Sequence, residues 1–403
     1  MRTCIRRLFF TGLIASSTAV VAQAQATFDF TGSGQFTGAV DTIAVRANSP
    51  GGNSVGTISA IAFDPTSQVG GEYNRIYFTN REASPSTGNA VGGLYVTDTV
   101  TEAVTFIGLK SNTATTPNTN LNPSSLAIDS SGTVYVGRDV SAQLWRVNNP
   151  LSSPTFTQML GNYGAATTDD DPISISWVPS TNQIMVFDQG LDTDPPVAVS
   201  LVNPLSTSAS QSFTTIWTAT PAIDNNIRGA FSPYDNYGYL SYAAIPLESG
   251  TAAIYRVDLS GNIQTILLNG ISSSMTLDDS IAINPIDGSV WLPITTPDIP
   301  ATTTPPAPAK TNNRTYYRVD VAAASLQSPG VYLADVTAEF KASSFNGGQN
   351  SVAFSPDGRW LAVAVPDGSD TIYLLRTVVP EPASLALTGV AMLGGVATRR
   401  RRQ

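Results

Sequence analysis

The chain has 403 residues, 21 basic and 30 acidic, with one cysteine and no histidine. The lack of histidine excludes Ser-His-Asp and Cys-His catalysis and histidine metal sites, and the acidic surplus excludes a nucleic-acid binder, which needs a basic face. Seven of the basic residues are arginines at the two ends, so the other 14 stand against 30 acidic residues, and a metal held there would be an oxygen-bound one such as Ca²⁺.

Residues 1–26 read as a secretory signal peptide. Arg2, Arg6 and Arg7 precede an apolar run from Leu8 to Val21, and Ala22-Gln23-Ala24 and Ala24-Gln25-Ala26 offer small residues for cleavage. Cys4 lies ahead of the apolar run, so the mature chain would carry no disulfide. A chain this long buries enough apolar surface to fold without one.

Residues 27–378 lack long helical periodicity and show short strands bounded by turn residues, which predicts an all-β body. One pattern recurs: a small residue, alternating apolar and small residues, then Asp, Asn or Ser. It starts at Ser59, Ser125, Ser174, Gly229, Ser280 and Ser351, in steps of 66, 49, 55, 51 and 71 residues. After each start a turn such as Asp129-Ser130-Ser131-Gly132 leads to a second strand such as Thr133–Val136. A third follows, such as Gln143–Val147, and in five of the units a fourth, such as Thr155–Met159 or Val331–Ala334. Four strands in about fifty residues describe a β-propeller blade. Small residues in the first strand suit the crowded axis, and Asp-Gly turns suit tight hairpins.

The sixth unit lacks a fourth strand. Asp41 to Arg46, which precedes the first unit, has no partner of its own. It is expected to supply the outer strand of the last blade and close the ring, since an open ring would leave a bare edge. The expected fold is a six-bladed β-propeller. A seven-bladed ring using more of Thr27 to Asn53 is a variant, and a β-sandwich or two smaller β domains the alternative. The body resembles bacterial six-bladed propellers, including lactonase-like and phytase propellers, in blade pattern alone; phrases such as Asn350 to Gly358 imply fold and no activity. Three polar insertions, Glu82–Gly92, Lys110–Pro123 and the Pro/Thr-rich Pro293–Asn313, read as loops, the last as an extended, mobile excursion.

The residues just before each inner strand ring one mouth of a propeller channel. Here they include Asn53, Asn120, Asn122, Asp171, Asn226, Asp279, Gln349 and Asn350. Carboxylate and amide oxygens from several blades suit a hard cation, so Asp171, Asn226, Asp279, Asn122 and Asn350 are the candidate Ca²⁺ ligands. Arg228, beside them, suits an anionic group. Asp and Asn also serve ordinary turns by bonding nearby backbone. Asp188, Asp192 and Asp194 read as an acidic loop, and the five tryptophans as blade packing.

The chain ends on Val379-Pro380-Glu381-Pro382, the uncharged run Ala383 to Ala397, and Arg399, Arg400, Arg401 and Arg402. Arginines resist crossing a bilayer. As a helix the apolar run spans only about 22 Å, short of a ~30 Å hydrocarbon core, which suits temporary retention. This tail resembles the PEP-CTERM sorting signal of Gram-negative bacteria in all three parts. The resemblance implies export, membrane holding by a short apolar helix, and processing near the motif by an exosortase. Exopolysaccharide-producing, biofilm-forming bacteria are its usual setting. The body is then expected to act as a binding or structural module at the cell surface or in the matrix, with exopolysaccharide or surface proteins as partners. The alternative is a Ca²⁺-dependent hydrolase of lactonase or phosphoesterase type, with its site in the channel. The expected division is 1–26 signal peptide, 27–378 propeller and 379–403 sorting segment.

Overall fold

A computed structural model describes residues 27–30, 33–45, 58–80, 93–108, 123–138, 143–161, 172–188, 198–207, 209–210, 212–219, 227–242, 251–272, 276–277, 280–295, 312–345, 351–365 and 371–378. They form six blades: the first, second, third and sixth are separate four-stranded antiparallel sheets, and the fourth and fifth are joined in one eleven-stranded sheet. The first is Ile58–Phe63, Arg75–Asn80, Gly93–Asp98 and Val104–Phe106, and the second Pro123–Ile128, Val134–Arg138, Gln143–Asn148 and Thr155–Gly161. The third is Pro172–Val178, Gln183–Asp188, Ala198–Val202 and Phe213–Thr218, and the fourth Ile227–Ser232, Tyr237–Tyr242, Thr251–Asp258 and Ile263–Ser272. The innermost strands touch in cyclic order, and Ser351–Phe354 of the sixth blade returns to Ile58–Phe63 of the first. The ring is therefore closed, with six members.

The closing strand is Phe36–Ala44, paired antiparallel with Thr371–Thr377 beside Trp360–Val365. It begins five residues earlier than the sequence suggested. The reason is a register shift between Phe36 and Val40, where Gly38 takes φ +80° and lets the strand bulge and continue. The seven-bladed variant fails because Thr27–Asp29 adds an outer strand to the fifth blade, at Lys341–Ser343, and starts no blade of its own.

The fifth blade departs most from expectation. Its last strand runs fifteen residues, Val331–Phe345, and serves two sheets. Val331–Asp335 pairs parallel with Thr265–Asn269 of the fourth blade, and Val336–Phe345 pairs antiparallel with Val319–Asn312. The expected fourth strand, Val331–Ala334, thus belongs to the neighbour's edge. Pro293, expected to open an excursion, lies inside Val290–Thr295, and residues 296–311 fall outside the described set. Proline offers no N–H to a ladder. The inner strand facing this stretch is split into Thr276–Leu277 and Ala282–Ile283.

Apolar side chains gather in six clusters, one per seam between adjacent blades. Tyr77, Leu94 and Val96 of the first blade meet Leu126, Val134 and Trp145 of the second. The closing strand's Ile43 joins Ile372 and Leu374 of the sixth blade to Ile61 and Phe78 of the first. A blade packs on both faces, so its middle strands are apolar throughout: Ile76, Tyr77 and Phe78 are each at most 1% exposed. Buried groups find partners along the seams. Glu339 is 2% exposed, accepts from Arg318 Nε (2.9 Å) and accepts from the Ser33 hydroxyl (2.8 Å), tying the N-terminal segment to the fifth blade.

Candidate functional site

The six inner strands enclose an axial cavity of about 260 Å³. The recurring small residues of the first strands face it. Ser59, Ser125, Ser174, Ser280 and Ser351 all line the cavity, and Gly229 stands in the fourth blade. A Cβ at Gly229 would overlap the buried ring of Phe187 from the third blade, so the backbone must approach bare.

These hydroxyls are used unequally. Ser59 donates to the Pro123 carbonyl of the second blade (2.5 Å) and meets Thr79 at 3.0 Å. Ser176 accepts from the Phe231 amide of the fourth blade (3.1 Å). Both stitch neighbouring blades at the axis. The hydroxyls of Ser174, Ser280 and Ser351 make no hydrogen bond among the described residues, and Ser280 and Ser351 are each 7% exposed. Arg228 is 8% exposed and is the one charged side chain on the described wall.

All five candidate Ca²⁺ ligands, Asn122, Asp171, Asn226, Asp279 and Asn350, lie outside the described residues, as does the tail with Pro380, Glu381, Pro382 and Arg399 to Arg402. Among the described residues, no group of three or more acidic or cysteine side chains could hold a metal, and no helix is long and apolar enough to cross a membrane.

Several of the described acidic residues serve turns. Asp129 accepts from the Ser131 and Thr133 amides (both 2.9 Å), the Ser131 hydroxyl (2.6 Å) and the Tyr135 phenol (3.0 Å). Asp64 accepts from the Thr66 amide (2.8 Å) and pairs with Arg75 (3.1 Å). Burial, with Asp64 second, pushes the Tyr77 phenol up to about 12; burial, with Asp129 second, raises that of Tyr135 further. Backbone hydrogen bonding from Thr101 leads in holding the Asp98 carboxyl below the usual range. Asp188, read as part of an acidic loop, instead ends a strand opposite Pro172 and is 3% exposed, because the strand continues through it; Asp192 and Asp194 lie outside the described residues. Trp145 and Trp291 are buried in seams, as expected.

The sequence reading missed one construction. A hairpin, Gln68–Val69 with Glu72–Tyr73, interrupts the first blade's opening turn and reaches over the sixth. Glu72 accepts from Trp360 Nε1 (2.6 Å), and the Gly71 carbonyl accepts from Arg359 (3.4 Å). The hairpin walls a second cavity of about 480 Å³ at the closing seam. Its trace in the sequence is the Gly70-Gly71 pair, with φ of +63° and +91°.

The fold is thus that of an all-β, six-bladed propeller closed by its own N-terminal strand. Residues 378–402 match the PEP-CTERM protein-sorting motif. The chain carries the mark of an exported protein, sorted through the membrane of Gram-negative bacteria and processed by an exosortase. No curated protein matches its sequence at a significant level. Among solved structures, a Bacteroides thetaiotaomicron protein of unknown function aligns at TM-score 0.53 and 10% identity, over 88% of this chain and 77% of that one. The calcium-binding protein regucalcin of Agrobacterium tumefaciens aligns at TM-score 0.47 and 14% identity, over 81% and 92%. Virginiamycin B lyase of Staphylococcus aureus aligns at TM-score 0.45 and 13% identity, over 84% and 99%. At such identities the likeness is one of fold.

Proposed function

We propose that this chain is an exported binding module, held in the membrane by its tail until an exosortase acts, then placed at the cell surface or in the exopolysaccharide matrix. Its parts are a signal peptide at 1–26, a propeller at 27–378 and a sorting segment at 379–403. The observation that supports a binding role is the axial cavity, walled by all six blades and furnished with repeated hydroxyls from strands locked by their neighbours. A rigid, preformed polar cavity suits holding a ligand, because little ordering is needed on binding.

The test of sorting is fractionation of cells expressing the full chain with and without Pro380 to Pro382. Deletion is expected to leave the protein in the membrane fraction at unprocessed size; release indistinguishable from the intact chain would overturn the sorting step. The second reading, a Ca²⁺-dependent lactonase or phosphoesterase, rests on the oxygen-bearing residues that precede the inner strands. Calorimetric titration with Ca²⁺ decides it. Saturable binding abolished by Asp171→Ala and Asp279→Ala favours the hydrolase, and no saturable heat favours the binding module.

A further inference from the structure

We propose that the face of the ring from which the tail departs rests on a neutral phospholipid bilayer while the chain is tethered. The inference rests on the reading of the tail as a membrane tether and adds which side of the ring meets the lipid. Strands within a blade alternate in direction, so the first-to-second and third-to-fourth turns all leave from one end. Val378 follows the third strand of the sixth blade and is exposed. The same place in the first three blades also holds an apolar residue: Val100, Leu151 and Leu205, each more than half exposed. Turns ordinarily favour Gly, Pro, Asn, Asp or Ser, so this recurrence is not what turn chemistry requires. Closer to the axis, Tyr234 and Ile286 occupy the first-to-second turns of the fourth and fifth blades and are also more than half exposed. These two are not isolated. A Cβ at Gly288 would overlap the Tyr234 ring and one at Gly358 would overlap Ile286, so the turns of the fourth, fifth and sixth blades abut.

The length of chain after Val378 points to the occupant. Only Val379, Pro380, Glu381 and Pro382 separate Val378 from the apolar run that starts at Ala383. Fully extended, those five steps reach at most roughly 18 Å, and a headgroup layer takes up about 6 Å of it. The Val378 amide donates to the Gln35 carbonyl, which keeps the last strand from fraying to lengthen the link. While the tail holds the chain in the membrane, the turn face is therefore kept beside the lipid, and the other end of the blades lies a strand length further off. Apolar side chains held at that distance gain by leaving water for the headgroup and acyl boundary. Charge selects the lipid. Asp98, Glu102, Asp235, Asp258, Asp287 and Asp357 lie on or beside the turns of this face, with Arg359 and Arg376 among them. An anionic bilayer repels that acidic surplus, whereas a zwitterionic one does not.

The test reconstitutes the full chain through its tail in phosphatidylcholine vesicles, with Cys4→Ser so that no native thiol competes. Single cysteines carry a fluorophore, and a nitroxide on the lipid headgroup is the quencher. Leu151→Cys, Leu205→Cys and Ile286→Cys report on the turn face. Thr218→Cys is the control: it lies in the third blade at the end opposite Leu205, paired with Ala198, and is exposed. Quenching is expected at the three turn positions and not at Thr218. Replacing part of the phosphatidylcholine by phosphatidylglycerol is expected to weaken it. Leu151→Glu with Leu205→Glu is expected to remove it at the Ile286→Cys probe; these sites are exposed, so the ring still folds. Flotation of the vesicles reads the tether separately. Protein that floats with unquenched turn probes, or with Thr218→Cys quenched as strongly, overturns the docked face and leaves the tether standing. Stronger quenching with phosphatidylglycerol overturns the neutral surface. Protein that does not float overturns the tether, and this inference with it.

Discussion

Ile43 offers the sharpest test of ring closure. It lies on the strand that joins the last blade from the opposite end of the chain, is 1% exposed, and faces Ile372, itself fully buried. Its neighbours come from two blades, so the site cannot relax by moving one sheet. Ile43→Ala removes three carbons, worth about 2.4 kcal/mol of transfer energy at ~0.8 kcal/mol each. The unfilled cavity adds roughly 1 kcal/mol or more, giving about 3–4 kcal/mol in all. At roughly 2.1 cal/mol/K of unfolding entropy per residue, that lowers the Tm of a body of this size by about 4–6 °C. Thr42→Ala is the control: the same strand, but exposed, with an expected change within about 0.5 kcal/mol. Thermal and urea unfolding of both variants measure the difference. If Ile43→Ala falls within 0.5 kcal/mol of its control, the N-terminal strand does not close the ring and the reasoning is wrong.

Gly261, with φ +87°, leaves a Cβ no room: it would overlap the Ile216 carbonyl oxygen of the adjacent blade. Gly261→Ala should cost about 2–4 kcal/mol; at Gly270, φ +95° with open space around it, the same change should cost only the backbone strain, about 1 kcal/mol, and urea midpoints separate the two. Asp129→Ala strips four donors of their acceptor and should cost about 2–4 kcal/mol, more than Asp287→Ala in the equivalent, exposed turn. The Tyr77 phenol, raised to about 12 from 10.0, keeps its proton in the fold where the unfolded chain loses it. Stability is therefore intact below pH 10 and falls by about 1.4 kcal/mol per pH unit from this group until about pH 12. Tyr77→Phe should flatten that slope in alkaline urea titrations, and an unchanged slope would remove the assignment.

The blade count was legible because the repeat is a packing repeat. Six small-residue starts, from Ser59 to Ser351, mark six strands that meet around the axis. Closure was legible too, since an unpaired strand at one end matched a missing strand at the other. Strand alternation was a weaker guide: Leu361 to Ala364 are all buried, because neighbouring blades cover both faces. The double use of Val331–Phe345 was not legible, as parallel pairing between blades depends on where the fourth blade's edge lies in space, not on local pattern. For the site, the sequence pointed to the channel mouth through Asn122, Asp171, Asn226, Asp279 and Asn350, with Arg228 beside them, and those five lie outside the described residues. It could not tell which serines stitch blades and which stay open, since Ser59 and Ser351 occupy the same place in the repeat and differ only in what lies opposite.

The strand Thr371–Thr377 sits between two partners, Trp360–Val365 on one side and Phe36–Ala44 on the other. Pairing runs to its last residue, and the Val378 amide still donates to the Gln35 carbonyl at 2.6 Å. The sorting motif begins at that same residue, with no slack between them. Tension applied along this strand therefore loads two hydrogen-bonded ladders in shear, all rungs at once, instead of peeling them one by one. A tether attached here can be pulled or cut without unzipping the ring, because the residue that bears the load is clamped by the strand that closes the circle.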